Sequence, residues 1–576
     1  MALAVRGITR RVLLFTVWVL YVNASKWPAH RDVPDNASYD YVVVGAGTAG
    51  CIVANRLSQQ KDVEVLAIEA GGDPPEEKDI LSLFVTEVHP HVYWNYETED
   101  DGYTAQYHKD KHLNLRSGKM LGGSSGINYL YYSRGAPRDY EAWVNATGDE
   151  SWSWQNVLPY FKKSEHLKDE EILNSKLGRF HGNNGEMIVT RDLRNITLKY
   201  LEAFQELGHK VVDDINGEQA IGFAQPMFWL SNGLRHTTAE GFLLPIKNRP
   251  NFHVMKNTLV TKILFDENKN AVGVQTKNVD GSTVNIYARK EIIISAGAFN
   301  TPKLLMLSGV GPQAHLESFD IPVISNLPVG EYLRDHMATV LVMKGKTTDE
   351  TFERGIAHFP IPTFVGLGAI DKSQDYPDYQ SHNLIFKNHP AGLTVLCSSV
   401  FHLNPSICEE LFSAGVGREV LFSVFGASHL LSHGSVQLRS TNPEDPLKIN
   451  TGFLSNPSDL DHYAKCIQDF AAVINSSYFK EVEGEILHFN IPSCKHLEKD
   501  TLEYWKCYTL NMMDSYFLSS CTCPMGPVLD SRLRVRGVKK LRVADASAMP
   551  ELITSSIGSA VMMIAEKAAD YIKEDI

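Results

Sequence analysis

The sequence predicts a mixed α/β and α+β protein. One domain has a parallel sheet assembled from segments far apart in the chain, and a second domain lies between those segments. Three stretches predict this. Tyr39 to Gly72 reads as strand, glycine turn, helix and second strand. Ile292-Ile293-Ile294, inside Glu291 to Ser295, is another buried strand that runs into Gly297 and a helix, so the first sheet resumes after a long insertion. Near the C-terminus, Lys540 to Asp545 is a short strand ending in an acid, followed by an amphipathic helix over Val561 to Ile572. Strands covered on both faces read as such apolar runs instead of alternating patterns.

The first stretch carries chemistry. Tyr41-Val42-Val43-Val44 precedes Gly45, Gly47 and Gly50 in G-x-G-x-x-G spacing. The first glycine permits the turn, the second admits a pyrophosphate to the backbone, and the third lets helix and strand pack closely. A helix predicted from about Thr48 to Gln59 aims its free N–H groups and positive dipole end at that pyrophosphate. The strand Val63 to Ile68 then delivers Glu69 where a ribose-binding acid belongs. The spacing alone is weak. With strand, helix, second strand and acid in order it indicates an ADP-containing dinucleotide, without separating FAD from NAD.

Composition bounds the remaining classes. The 576-residue chain has a formal net charge of −13 and no basic block, which argues against nucleic acid or an anionic membrane surface as partner. Arg6, Arg10 and Arg11 precede the apolar stretch Val12 to Val22, and Val22 and Ala24 suit a signal-peptidase site, so residues 1–24 read as a cleaved signal peptide. That stretch is too short to span a bilayer and no later one is long enough. Sequons at Asn36, Asn145, Asn195 and Asn475 agree with a secreted glycoprotein. Eight cysteines are too few for a disulfide scaffold. Cys397 with Cys408 and Cys494 with Cys507 are plausible local bridges, although spacing does not determine connectivity.

Along the chain, Gly122-Gly123-Ser124-Ser125-Gly126 has too little side chain to form a core; its N–H groups and hydroxyls suit a phosphate or flavin edge, while composition alone favours a flexible surface loop. From Phe252 three strand patterns separated by Asn-Lys-Asn and Asp-Gly turns predict a β-meander. Residues from about 337 to 511 carry no nucleotide signal. They mix Pro/Gly loops with strands such as Ser435 to Leu438 and a helix near Leu460 to Ile474, and a substrate-facing domain belongs there. Asp545 reads equally well as a cofactor ligand or as a helix-capping acid.

With these segments in view, the chain resembles the glucose–methanol–choline (GMC) oxidoreductases of the secreted insect type. The resemblance rests on GAGTAG with Glu69, GKMLGGSSGIN at Gly118 to Asn128, GAFNTPKLLMLSGVGP at Gly297 to Pro312, LPVGEYLRDH at Leu327 to His336, and LRVADASAMP at Leu541 to Pro550 followed by MMIAEKAAD. It implies a Rossmann-like FAD-binding domain over residues 38–336 with insertions, a substrate-binding domain with an antiparallel sheet over 337–515, and a return to the first domain over 516–576. It also implies oxidation of an alcohol CH–OH group by hydride transfer to flavin, with oxygen or a quinone as final acceptor. Cofactor contacts then fall to Gly45, Gly47, Thr48, Gly50, Glu69, Gly122, Gly123, Asn128, Val260, Asp545 and Ala546. Some members tether the flavin through a histidine at the position of Ile127, so FAD here is expected to be non-covalent. Ecdysteroids and sugars are the two substrate classes that the insect relatives suggest.

One departure stands out. The chemistry needs a group to take up the hydroxyl proton as hydride leaves. The family places a histidine before its T-C-x-M-G segment and a histidine or asparagine in a late loop; the matching positions here are Leu518 and Gly558. Neither residue has a proton site. Ser519, Ser520, Cys521 and Cys523 lie nearby, and His336, His429 and His433 are further candidates for a base, His336 being ordinarily structural. The alternatives are a substrate oxidised slowly or with water as proton acceptor, and a catalytically degenerate FAD-binding protein. Restoring Leu518→His together with Gly558→Asn is expected to raise activity if the site is otherwise intact.

Overall fold

The structure, a computed structural model, describes residues 26–75, 89–217, 219–350 and 359–575. The predicted signal peptide lies outside the described residues. In chain order, the elements that position the site begin with β1 (Ala37–Val44), α1 (Gly50–Leu57) and β2 (Val65–Ile68). After an insertion follow β3 (Phe252–Met255), β4 (Leu259–Phe265), β5 (Ala271–Lys277), β6 (Thr283–Ile294) and α2 (Gly297–Leu307). Next come β7 (Met337–Thr347), β8 (Thr363–Gly368), β9 (Tyr379–Lys387) and β10 (Arg418–Ala427), and last β11 (Leu541–Val543) and α3 (Gly558–Glu574).

The first sheet runs β3-β2-β1-β6-β5-β4, with β11 also on β6. β3, β2, β1, β6 and β11 are parallel, as the three predicted strand segments require. β6 is shared by two layouts. Its first half pairs antiparallel with β5, Tyr287 opposite Gly273, and forms a meander with β5 and β4, whereas Phe252–Met255, expected in that meander, is the parallel strand β3 on β2. The last residues of β6 pair parallel with β11, Ile293 opposite Arg542. One 12-residue strand therefore joins the meander to the nucleotide-binding sheet. Val42, Val43, Leu66, Ala67 and Ile292 to Ile294 are all buried, which is why these strands lack alternation.

α3 closes this domain by packing on α1. Arg56 at the end of α1 donates to the buried Glu566 carboxylate of α3 at 2.7 and 2.9 Å and to Glu186 at 2.5 and 2.8 Å. Residues 510 positions apart are thereby tied at the back of the dinucleotide domain.

The second sheet is antiparallel throughout, in the order Glu485–Ile486, β7, β10, β9, β8, Gly222–Ala224, with Asp514–Ser515 paired to the start of β7. Sequence analysis located only fragments of this region, and the reason is physical. β9 buries Gln380, Ser381, His382 and Asn383 in succession, so polar residues occupy interior positions and erase the period-2 signal. Both candidate disulfides, Cys397–Cys408 and Cys494–Cys507, are formed, while Cys51, Cys466, Cys521 and Cys523 are unpaired and buried. Among the described residues no helix is long and apolar enough to cross a membrane.

Candidate active site

The glycine turn between β1 and α1 is a contact surface for backbone. Gly45 has φ +92°, and a Cβ there would lie 2.5 Å from the carbonyl oxygen of Ser295 at the end of β6. A Cβ on Gly50 would lie 1.8 Å from the Gly45 carbonyl oxygen, so this residue seats the helix on the turn. The Gly122 to Gly126 segment is not the flexible surface loop that its composition suggests. Gly122, Gly123, Ser125 and Gly126 are buried, and a Cβ on Gly123 would come within 2.7 Å of Gly47 Cα. The Gly122 N–H donates to the Ala46 carbonyl at 2.8 Å, and the Ser125 N–H donates to Thr48 Oγ1 at 3.2 Å. Two glycine loops from distant segments thus lie backbone to backbone.

Between them opens a long cavity. Of the predicted cofactor residues, Gly45, Gly47, Thr48, Glu69, Gly123, Asn128, Val260, Asp545 and Ala546 line it. Gly50 and Gly122 do not; they shape the backbone behind it.

Each polar wall group has a defined state. Glu69 is buried at the end of β2, and its carboxylate accepts the Ala46 N–H at 2.9 Å and the Gly71 N–H at 2.8 Å. Burial outweighs those bonds and raises its pKa to about 7. Asp545 follows β11. Its Oδ2 accepts the Gly297 N–H at 2.8 Å and Thr301 Oγ1–H at 2.6 Å, and its Oδ1 accepts the Ser547 N–H at 2.9 Å and hydroxyl at 2.5 Å. The carboxylate therefore joins the start of α2 to the turn after β11, the capping role that sequence analysis left open. Asn128 Oδ1 accepts from Arg235 at 2.6 Å and from the Leu130 N–H at 3.2 Å, so what Asn128 offers the cavity is its N–H pair.

This lining fits FAD. Gly47 and Gly123 line the cavity, their missing Cβ atoms letting the two loops pack together, the start of α1 presents backbone N–H groups for a pyrophosphate, and Glu69 keeps acceptor capacity for ribose hydroxyls.

The cavity adjoins a second one, with Arg116, Ser124, Asn128, Phe517, Leu518 and Ser556 common to both. The remaining wall of the second cavity is largely apolar and aromatic: Tyr129, Tyr131, Phe359, Leu384, Leu396, Val400, Phe401 and Tyr516, with His382 among them. The His382 ring packs at a tilt against Tyr131, 4.2 Å between centroids, and burial pushes its pKa down to about 3, so it is neutral. Sequence reasoning missed His382, whose surroundings carry no local motif, and Ser556, which lies two residues before Gly558 in the late loop.

Leu518 and Gly558 both line the cofactor cavity. Trp229 fills the space beside Gly558: a Cβ there would lie 2.3 Å from Trp229 Cη2. The suggested replacement bases fare differently. His336 is buried with Nε2 2.7 Å from the Ile553 carbonyl oxygen, consistent with a structural part. His429 contacts Tyr376 and Thr554 in a separate cavity, and His433 is exposed and stacks on Tyr332. Burial raises the Cys521 thiol to about 12 and the Cys523 thiol well above its usual range, so both stay protonated. Ser520 is buried. Ser519 alone of this group lines the cofactor cavity, and its hydroxyl donates to Asp335 Oδ2 at 2.7 Å.

Comparison with known proteins places this geometry. The chain is 35% identical over 566 residues to an ecdysone oxidase of Spodoptera littoralis, covering 95% of this chain and 93% of the relative. It is 31% identical to a glucose dehydrogenase [FAD, quinone] of Drosophila pseudoobscura pseudoobscura, covering 94% and 88%. The crystal structure of pyridoxine 4-oxidase from Mesorbium loti shares the fold with a TM-score of 0.78 at 23% identity, covering 92% of this chain and 98% of that one. The two GMC oxidoreductase family models match residues 39–338 and 431–565. The chain belongs to the GMC oxidoreductase family and is an FAD-dependent oxidoreductase.

Proposed function

We propose that this protein is a secreted oxidase or dehydrogenase of a bulky, largely apolar secondary alcohol, an ecdysteroid being the best fit, with FAD held non-covalently. The carrying observation is the aromatic cavity that meets the cofactor cavity at Asn128, Phe517, Leu518 and Ser556. A sugar presents hydroxyls on most faces and needs many partners, each costly to leave unpaired when buried. This wall offers few. The similarity to an ecdysone oxidase supports the same reading.

Bound FAD supplies the two-electron acceptor for hydride. The residues of this chain bind, orient and dry the alcohol. Tyr131, Phe359, Leu384 and Phe401 exclude water from its apolar body. The Ser556 hydroxyl has no hydrogen-bond partner among the described residues and lines both cavities, so it is available to the reacting hydroxyl. Ile127 lines the second cavity at the family's tethering position and has no atom to bond a flavin covalently. The signal-like N-terminus and two disulfides support secretion. Oxygen or a quinone is the final acceptor that we assign.

A second reading, a flavoprotein that binds without oxidising, is favoured by Leu518 and by Trp229 packed where a Gly558 side chain would project. One experiment separates them. Purified protein is mixed anaerobically with ecdysone, glucose and simple primary alcohols while the oxidised-flavin absorbance is followed. Bleaching by ecdysone and not by glucose is expected. A flavin band that no alcohol bleaches would favour the binder, and loss of the band on acid precipitation tests covalent attachment.

A further inference from the structure

We propose that Ser519 and Asp335 together take up the substrate hydroxyl proton in this chain, in place of the histidine that Leu518 replaces. The inference rests on the oxidation reading above and supplies its missing base.

The geometry is specific. Ser519 lines the cofactor cavity next to Phe517 and Leu518, which also face the substrate cavity. Its Oγ donates to Asp335 Oδ2 at 2.7 Å. The other carboxylate oxygen accepts the Leu518 N–H at 3.0 Å, and Ser515 Oγ donates to Oδ2 at 2.7 Å. The segment that carries the family's catalytic position is therefore pinned at both sides to one carboxylate, which also orients the Ser519 hydroxyl. Asp335 lines a further cavity on its other side, giving a collected proton a way out.

A serine hydroxyl is a weak base alone and is activated by an adjacent acceptor. Bound FAD would supply the acceptor for the hydrogen that leaves the substrate carbon with its two electrons. The substrate O–H bond breaks in the same event. Its proton goes to Ser519 Oγ while the serine proton passes to Asp335 Oδ2, and the freed O–H pair forms the C=O bond. Asp335 begins as carboxylate and ends as carboxylic acid, so charge and atoms balance. Burial pushes the Asp335 carboxyl up to about 6 despite its hydrogen bonds, close to working pH.

Other ionisable groups surround it. Asp514 on the neighbouring strand is buried, and burial raises its carboxyl well above the usual range. Across the further cavity stand Asp139, raised to about 6, His336 and His429, lowered to about 4 and about 3, and Arg334, paired with Glu551 at 3.1 Å. Asp139 titrates in the same range, so a variant must assign the inflection. His382 lines the substrate cavity, but burial lowers its pKa to about 3, which makes it a poor proton acceptor.

The test uses the holoenzyme as wild type, S519A, S519T and D335N. Anaerobic flavin bleaching by the best alcohol is timed from about pH 5 to about pH 9, and the protonated carboxyl band is titrated by infrared difference spectroscopy without substrate. The wild-type rate should rise through about pH 6 and level off. S519A should retain FAD and slow by about 100-fold or more, the usual worth of a general base, and S519T should recover most of it. D335N should lose the inflection and the infrared band titrating near pH 6. In S519A that band should move to higher pH, because a donor to the charged form is gone. An S519A rate within about threefold of wild type, or an inflection unchanged in D335N, overturns the relay while the oxidation reading stands. If no alcohol bleaches wild type, the oxidation reading fails and the relay fails with it.

Discussion

Gly558 packs directly against the indole of Trp229: a Cβ on the glycine would lie 2.3 Å from Cη2 and 2.9 Å from Cζ3 of a side chain that is itself buried. The substitution pair suggested by sequence alone, Leu518→His with Gly558→Asn, therefore forces a clash. Overpacking of this kind costs about 1–3 kcal/mol. The double variant is expected to denature at lower urea than wild type and to gain no flavin reduction. Adding Trp229→Leu should restore the lost stability and expose any gain, with denaturation midpoints and anaerobic bleaching as the readouts.

Glu69 ties the ribose-binding position to the glycine turn through the Ala46 and Gly71 N–H groups. Glu69→Gln keeps the volume but presents an amide N–H toward at least one of these donors. FAD retention should fall by about tenfold to a hundredfold, in keeping with a lost bond to a charged group of about 1.5–3 kcal/mol. The ratio of flavin to protein after extensive dialysis measures it. Retention equal to wild type would remove Glu69 from the cofactor site.

The bridges Cys397–Cys408 and Cys494–Cys507 close loops with sequence separations of 11 and 13. Loop-closure entropy for such lengths corresponds to about 3 kcal/mol each. Replacing either pair by serines should lower stability by about 2–3 kcal/mol while FAD remains bound, because neither bridge lines the cofactor cavity. Equilibrium denaturation with FAD absorbance as a second probe checks both parts.

Burial pushes His108, His209 and His336 down to about 4, and His382 and His429 to about 3. Each is neutral when folded and takes a proton when unfolded below about pH 6.5, so each withdraws stability as pH falls through that value. Glu69 at about 7 and Asp139 and Asp335 at about 6 act in the opposite sense: they hold protons in the folded state that the unfolded chain releases. Burial also raises Asp514, Asp545 and Glu291 and lowers His166, His236, His253, His315 and His488, so the histidines outnumber the acids and acidification costs stability on balance. The urea midpoint should be lower at pH 5 than at pH 7, and a midpoint that rises at pH 5 would contradict these assignments.

The sequence by itself determined the dinucleotide half. Apolar runs at Tyr41 to Val44, Val65 to Ile68 and Ile292 to Ile294 have no other stable place than a doubly covered sheet, and Gly45, Gly47 and Gly50 matter through local backbone geometry that spacing encodes. Motif register also points to Leu518 and Gly558 at the family's catalytic positions. Tertiary structure decided the rest. Ser519 gains its acceptor from Asp335, 184 residues away, and Gly558 meets Trp229 from a distant loop. Gly122 to Gly126 looks like a surface loop until Gly47 is packed against Gly123. The substrate wall escaped prediction because β9 buries polar residues in a row. Such partners are chosen by the free energy of burying and pairing groups across the fold, and no local pattern records that choice.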